Sequence, residues 1–127
     1  MNYLYAPESF SQRDKTYRDL YEMIGNENRL AMFMDIEGLS ARLRNFNNPE
    51  IVTLLGVRSA DLPNIIAIKE LFLNAALIIL LSDEDQETFE TALGLKPKFL
   101  GLMNDDLDKI LPIVKKLLLK NRQYDFR

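Results

Sequence analysis

The longest apolar stretch of this chain is residues 71–81, LFLNAALIILL, in which Asn74 is the one polar side chain. A stretch of this kind forms either a helix that is apolar all round or a strand that is buried on both faces. The preceding residues favour the helix, because apolar side chains recur there at spacings of three and four. These side chains are Leu62, Ile65, Ile66, Ile68, Leu71 and Phe72. With Pro63 in its first turn and Ser59 or Asp61 as a cap, one helix is predicted over residues 61–81.

A membrane-spanning helix is the rival interpretation of residues 65–81. These residues include Lys69, Glu70 and Asn74, whose side chains are costly to place in hydrocarbon. Burial in a helical bundle or in an oligomer interface is therefore favoured, and no membrane partner is expected.

The two ends of the chain are predicted to lie outside the helical body. Residues 1–8 hold Tyr3, Leu4 and Tyr5 ahead of Ala6-Pro7, and a proline disfavours helix in the residue before it. They are predicted to form an apolar arm that docks on its own body, docks on a partner or stays flexible. Residues 123–127 form a corresponding C-terminal tail.

Helical periodicity and capping residues place further helices along the chain. A first helix begins near Ser9 and stops at Gly25, and a second covers residues 27–46 behind Asn26 or Asn28. Two helices separated near Gly38 are an equal alternative for the second. The remaining helical segments are residues 51–55, residues 83–93, a turn over residues 98–103, and a last helix from Asn104 with a kink at Pro112.

Alternating strand patterns are scarce and no internal repeat is present. The sequence therefore predicts a single all-α domain over residues 1–127, a bundle of five to seven helices around the apolar central helix.

Composition excludes several chemistries. The chain has 127 residues and contains neither Cys nor His, so thiol nucleophiles, a Ser-His-Asp triad and His- or Cys-ligated metals are excluded. No cofactor is predicted. The first ten residues lack the basic start and apolar core of a signal peptide, which predicts a cytoplasmic protein.

Carboxylates provide the one enzymatic alternative, with Asp35, Glu37, Asp83 and Asp85 as its candidate residues. Residues 30–40, LAMFMDIEGLS, resemble the opening strand of NYN/PIN-type nuclease domains, and residues 76–85, ALIILLSDED, resemble a later strand that ends in acids. The resemblance implies a parallel sheet whose acids hold Mg²⁺ or Mn²⁺ for phosphodiester hydrolysis. A helix cap explains the second acidic segment without a metal.

The charge is unevenly distributed. Residues 1–95 carry eight Lys/Arg and fifteen Asp/Glu, whereas residues 96–127 carry eight and four. The basic last helix is a candidate nucleic-acid site, because a stripe of cations can contact phosphates. Its candidate residues are Lys109, Lys115, Lys116, Lys120 and Arg122. A solvated helix face is the favoured interpretation, since the protein as a whole is acidic.

Binding to another protein is the leading functional prediction. The apolar content is high for a short chain, and apolar surface left uncovered in a small protein marks an interface. Aromatic side chains at both ends are of the type enriched where proteins meet. The candidate partner-binding residues are Tyr3, Tyr5, Phe72, Ile79, Tyr124 and Phe126. The sequence thus predicts a non-enzymatic adaptor, accessory or assembly protein that binds another protein or itself, as a homodimer.

Overall fold

Five parallel strands form the centre of the protein. The computed structural model describes residues 1–24, 30–45 and 48–125, with side chains described as far as residue 120. The strands lie in the order β2-β1-β3-β4-β5. Their bounds are β1 (Asn2–Tyr5), β2 (Leu30–Phe33), β3 (Ile51–Val57), β4 (Ala76–Leu81) and β5 (Phe99–Leu102).

Helices connect these strands, because parallel neighbours require a crossover between them. The α-helices of the described residues are α1 (Arg13–Ile24), α2 (Ile36–Asn45), α3 (Leu62–Ala67), α4 (Gln86–Leu93), α5 (Met103–Asp106) and α6 (Ile110–Asp125). Short 3-10 helices are formed by Ser59–Asp61, Lys69–Phe72 and Leu107–Lys109.

The prediction of an all-α helical bundle is wrong, since the protein has an α/β fold with a five-stranded parallel sheet. The error has a physical cause. A parallel sheet is covered by helices on both faces, so its strands are continuous apolar runs and do not alternate between apolar and polar residues. The scarcity of alternation was therefore no evidence against strands.

Residues 71–81 are not one helix with the residues before them. The helical spacing ends with α3 and the 3-10 helix Lys69–Phe72, and β4 follows from Ala76. Ile78 and Ile79 are both fully buried, but they belong to the cores on opposite faces of the sheet. The apolar centre of the chain is therefore a strand that is buried on both faces of the sheet.

Residues 2–5 are an interior strand and not a flexible or partner-docking arm. β1 lies between β2 and β3, with Tyr3 opposite both Ala31 and Val52. Tyr3 is 1% exposed. The position of Pro7 explains the misreading, because a proline that disfavours helix is equally compatible with the end of a strand.

Three other helix predictions also change. Residues 51–55 lie in β3, residues 98–103 contain β5, and residues 27–46 contain β2 followed by α2. The predicted stop at Gly25 and the predicted caps Asn26 and Asn28 lie outside the described residues.

The last predicted helix divides into α5, a 3-10 turn and α6. Pro112 is the third residue of α6, within the first turn, where proline is tolerated without a kink.

The two faces of the sheet carry separate cores. On one face Leu77 and Ile79 pack in a core to which α2, α3 and α4 contribute. On the other face Ile78 and Leu80 pack in a core to which α1 and α6 contribute. Helices α4 and α6 therefore cover opposite faces of the same sheet.

Candidate functional site

A cleft of about 650 Å³ opens at the carboxyl edge of the sheet, between the ends of β1, β2 and β3. In this strand order the connections leave β1 and β3 in opposite directions, and such a switch point is where open α/β sheets bind ligands. The cleft is lined by Tyr5, Pro7, Glu8, Ser9, Met34, Asp35, Ile36, Glu37, Arg58, Asp61 and Asn64.

The middle of this edge is closed by small and apolar groups. β1 runs into Ala6 and Pro7, and β3 reaches Gly56, whose φ is +64°. A Cβ added to Gly56 would lie 3.1 Å from Cγ of Pro7 and 3.6 Å from Oγ of Ser82, which follows β4. A proline ring, a glycine and a hydroxyl thus meet where the central strands end, and none of the three supplies a carboxylate.

The acids of the nuclease alternative do not converge. Asp35 follows β2 and Asp83 and Asp85 follow β4, and those two strands are three places apart in the sheet. At about 4.8 Å per strand spacing, the two strand ends are roughly 14 Å apart, too far for one ion. No group of three or more acidic side chains that could hold a metal occurs among the described residues.

Two of these acids cap helices instead. Oδ1 of Asp35 accepts a hydrogen bond from the backbone N–H of Gly38 at 2.6 Å. Oδ2 of Asp85 accepts from the backbone N–H of Thr88 at 3.0 Å and from its hydroxyl at 2.8 Å. Glu37 and Asp83 are exposed. The capping interpretation of the second acidic segment accounts for Asp85, which is the N-cap of α4.

The phenol of Tyr5, in this cleft, has a raised pKa. Burial is the largest cause that raises the pKa of its phenol; Asp61 and Asp35 also raise this pKa, and Arg58 opposes them. Asp61 accepts a hydrogen bond from the backbone N–H of Arg58 at 3.0 Å. The phenol is therefore neutral at ordinary pH and can serve as a hydrogen-bond donor.

Four of the predicted partner-binding side chains lie in the protein's own core. Tyr3, Tyr5, Phe72 and Ile79 are between 0% and 4% exposed. Tyr3 packs edge-on against Phe33, with ring centroids 5.8 Å apart. These side chains offer no surface to a partner in this fold. The side chain of Tyr124 and all of Phe126 lie outside the described residues.

The residues predicted to bind nucleic acid differ in their contacts: one lysine forms an ion pair, and three are exposed on α6. Lys109 donates to Oδ1 of Asp106 at 2.7 Å, and this contact is the largest cause that lowers the pKa of Asp106. Lys115, Lys116 and Lys120 are exposed on α6. The side chain of Arg122 lies outside the described residues.

A surface that the sequence did not predict lies where α4 meets the edge strand β5. Phe89 and Leu93, one helical turn apart on α4, are 38% and 49% exposed. Leu100 and Leu102 of β5 are partly buried and pack on the same face of the sheet. We call these four residues the α4–β5 surface.

Acidic side chains border the α4–β5 surface. A cavity of about 430 Å³ brings Phe89 and Leu102 together with acids and one amide. Those polar residues are Asp83, Glu84, Asp85 and Gln86. Glu87 and Glu90 are also exposed on α4. Of the apolar residues of α4, Ala92 is buried, whereas Phe89 and Leu93 are exposed. No sequence signal reports how far a helix covers an edge strand.

Two solved structures are similar to the fold. A protein from Burkholderia pseudomallei described as pilus assembly-related matches with a TM-score of 0.63 and 17% identity, over 92% of this chain and 90% of that one. The BeF3-activated receiver domain of DrrB matches with a TM-score of 0.64 and 15% identity, over 92% of this chain and 96% of that one. These likenesses show the fold. No protein-family model matches the chain, and no curated protein matches it.

Among the described residues, every helix is too short or too polar to cross a lipid bilayer.

Proposed function

We propose that this chain is a non-enzymatic domain of the adaptor or signalling kind, which acts by binding another protein through the α4–β5 surface. The observation that carries the proposal is the pair of exposed apolar side chains, Phe89 and Leu93, beside half-buried strand residues. Apolar side chains grouped in this way lose contact with water when a partner covers them, and this loss stabilises the complex.

The carboxyl edge supports a binding role in place of catalysis. Pro7, Gly56 and Ser82 occupy the centre of that edge, and Asp35 and Asp85 serve as helix caps. A reaction at this edge would need acids or bases directed at one point. A fold shared with a receiver domain and with a pilus assembly-related protein is compatible with the adaptor or signalling role.

The charge around the α4–β5 surface defines the chemistry of the partner. Asp83, Glu84 and Asp85 are exposed at it, and Glu90, next to Phe89 on α4, is also exposed. Complementary charge sets the orientation and speed of association more than its strength. The partner is therefore a protein that presents apolar side chains flanked by lysine or arginine.

A photo-activated cross-linking residue tests the proposal in living cells. Placed at position 93, it should yield covalent adducts with a protein upon irradiation. Position 73 is the matched control, because Leu73 is 70% exposed, follows the 3-10 helix Lys69–Phe72 and is not one of the four residues of the α4–β5 surface. The same adducts at both positions, or none at position 93, would contradict the assignment of this surface.

A ligand experiment tests the absence of a reaction centre. Mg²⁺ with or without beryllium fluoride is expected to leave the melting temperature of the purified protein unchanged, because a ligand stabilises a protein only when it binds the folded form. A clear rise in the melting temperature with either addition would show an ion-binding centre and would argue against a purely adaptor role.

A further inference from the structure

We propose that the partner of the α4–β5 surface is a second copy of this chain, which docks the exposed face of its α6 helix there. This inference rests on the proposed function and adds to it the identity of the partner.

Helix α6 carries one exposed leucine surrounded by lysines. Leu119 is 50% exposed, although leucines elsewhere on this helix, such as Leu118, are buried. Lys115 and Lys116 lie four and three residues before Leu119, so they share its face of the helix, and Lys120 follows it. All three lysines are exposed. We call this surface the α6 face. It consists of one exposed apolar side chain with three lysines near it.

The α4–β5 surface has the opposite character. Leu93 and Phe89 form its exposed apolar centre, and the exposed acids Asp83, Glu84, Asp85 and Glu90 beside it outnumber the two exposed lysines that follow α4, Lys96 and Lys98. The two surfaces therefore match in both properties that a docking site needs, an apolar centre and opposite charge around it.

One chain cannot bring its own two surfaces together. Ala92 places α4 on one face of the sheet, whereas Val114 and Leu118 place α6 on the other face. The five-stranded sheet lies between them. The α6 face can therefore bind an α4–β5 surface only in another copy of the chain.

Each contact joins two different surfaces, so one contact leaves a pair of copies with a free α4–β5 surface on one chain and a free α6 face on the other. Those two free surfaces can bind further copies, close into a ring, or meet each other about a two-fold axis, in which case the contact forms twice in one dimer. Exposed charges contribute to this contact, and salt screens them within about 8–10 Å at ordinary ionic strength. The association is therefore expected to be reversible and to weaken as salt is raised.

Two point variants, each on one surface, test the inference. Leu93→Lys adds a positive charge to the α4–β5 surface, and Leu119→Glu adds a negative charge to the α6 face. Both leucines are about half exposed, 49% and 50%, so the fold should tolerate either change. Leu73→Glu, at a 70% exposed leucine, is the matched control.

Sedimentation velocity over a range of concentrations measures the result. The unmodified chain and Leu73→Glu should self-associate. For each of the other two variants, the dissociation constant should rise at least about tenfold, which corresponds to a loss of about 1.4 kcal/mol in binding free energy. Circular dichroism confirms that each variant is folded.

Mixing the two variants gives the decisive measurement. The Leu93→Lys chain retains an intact α6 face and the Leu119→Glu chain retains an intact α4–β5 surface, so an equimolar mixture should form a complex of two chains that neither variant forms alone. A symmetric dimer through α4–β5 would instead leave Leu119→Glu associating like the unmodified chain, and this result would overturn the inference. A mixture that fails to form the complex would also overturn it.

Failure of this inference is distinguishable from failure of the proposed function. A purified chain that remains monomeric at high concentration rules out the second copy as partner. Cross-links from position 93 to a different protein would, in that case, still support the binding role of the α4–β5 surface.

Discussion

Gly56 is the residue on which the closure of the carboxyl edge depends most directly. Its φ of +64° lies in the left-handed region, which side chains with a Cβ adopt at a cost. The nearest atom to an added Cβ would be Cγ of Pro7, at 3.1 Å. Backbone strain and a tight contact therefore coincide at this position.

Gly56→Ala is expected to lower the free energy of unfolding by about 1–3 kcal/mol. Chemical denaturation of the purified variant measures this loss. Gly94→Ala is the control, because Gly94 has a φ of −62°, which any residue can adopt. Equal losses in the two variants would show that the left-handed backbone of Gly56 is not the cause.

Tyr5 makes the stability of the protein depend on pH in the alkaline range. The pKa of its phenol is raised above 10.0, mainly by burial. In the unfolded chain the phenol ionises near pH 10, whereas in the folded chain it holds its proton to higher pH. Its contribution to stability is therefore complete below about pH 10 and is lost as the pH rises through the folded pKa.

Tyr5→Phe should remove part of the loss of stability above about pH 10, because phenylalanine has no proton to release. The denaturation midpoint, measured from pH 8 to pH 11, reports this. Tyr21→Phe, at an exposed tyrosine of α1, should retain the profile of the unmodified chain. A Tyr5→Phe profile that matches the unmodified chain would disprove this role for the phenol.

At the scale of the elements, the two aspartates before α4 differ in structural role. Both are exposed, but Asp85 caps the helix by accepting a hydrogen bond from the backbone N–H of Thr88, whereas Asp83 lies two residues before this cap. Replacing an aspartate cap with alanine costs about 0.5–2 kcal/mol of stability. A metal site would instead require both acids.

Asp85→Ala is therefore expected to destabilise the protein by about 1 kcal/mol, and Asp83→Ala by much less. Thermal denaturation of the two variants, with and without Mg²⁺, compares them. Equal effects that depend on Mg²⁺ would restore the metal interpretation of these residues.

The elements also show what the sequence could and could not determine. Helical spacing at Leu62, Ile65 and Phe72 did indicate helical turns, and the caps indicated a helix within residues 83–93. The spacing could not show where helix gives way to strand, because a doubly buried strand such as β4 is a continuous apolar run like a buried helix. The apolar segment before Asp35 and the one before Ser82 were both strands, as the nuclease alternative had required.

The candidate site was less predictable than the fold. An aromatic residue such as Tyr3 or Phe72 can be buried in the core of its own chain or exposed for a partner. The sequence alone does not distinguish these two positions. Phe89 is exposed because β5 is an edge strand and α4 leaves part of it uncovered. Such exposure depends on the packing of elements distant in sequence, which periodicity does not report.

At the scale of the whole molecule, β1 connects the two halves of the sheet. β2 pairs with β1 alone, and β3 joins β1 to the rest. Leu4 and Ala6 are fully buried, with 0% exposure. Without β1, the sheet would lose the ladder between β2 and β1 and the ladder between β1 and β3.

Deleting residues 2–5 is therefore expected to abolish cooperative thermal unfolding, measured by circular dichroism. Leu4→Ala retains the backbone of β1 and is the milder comparison, with an expected loss of about 2–5 kcal/mol. A truncated chain with the unmodified thermal transition would show that these residues are dispensable, as an arm would be.

The pairing of β1 also has a consequence for how the protein is made. Asn2 pairs with Ile51, so the first strand leaves the ribosome long before the segment that completes its inner ladder. Parallel pairing between such distant segments forms slowly, because a large loop must close before any contact compensates for the lost freedom. The ladder between β1 and β3, which includes Tyr3 and Leu4, therefore cannot form during translation until residues 51–57 have emerged, although β1 can pair with β2 earlier.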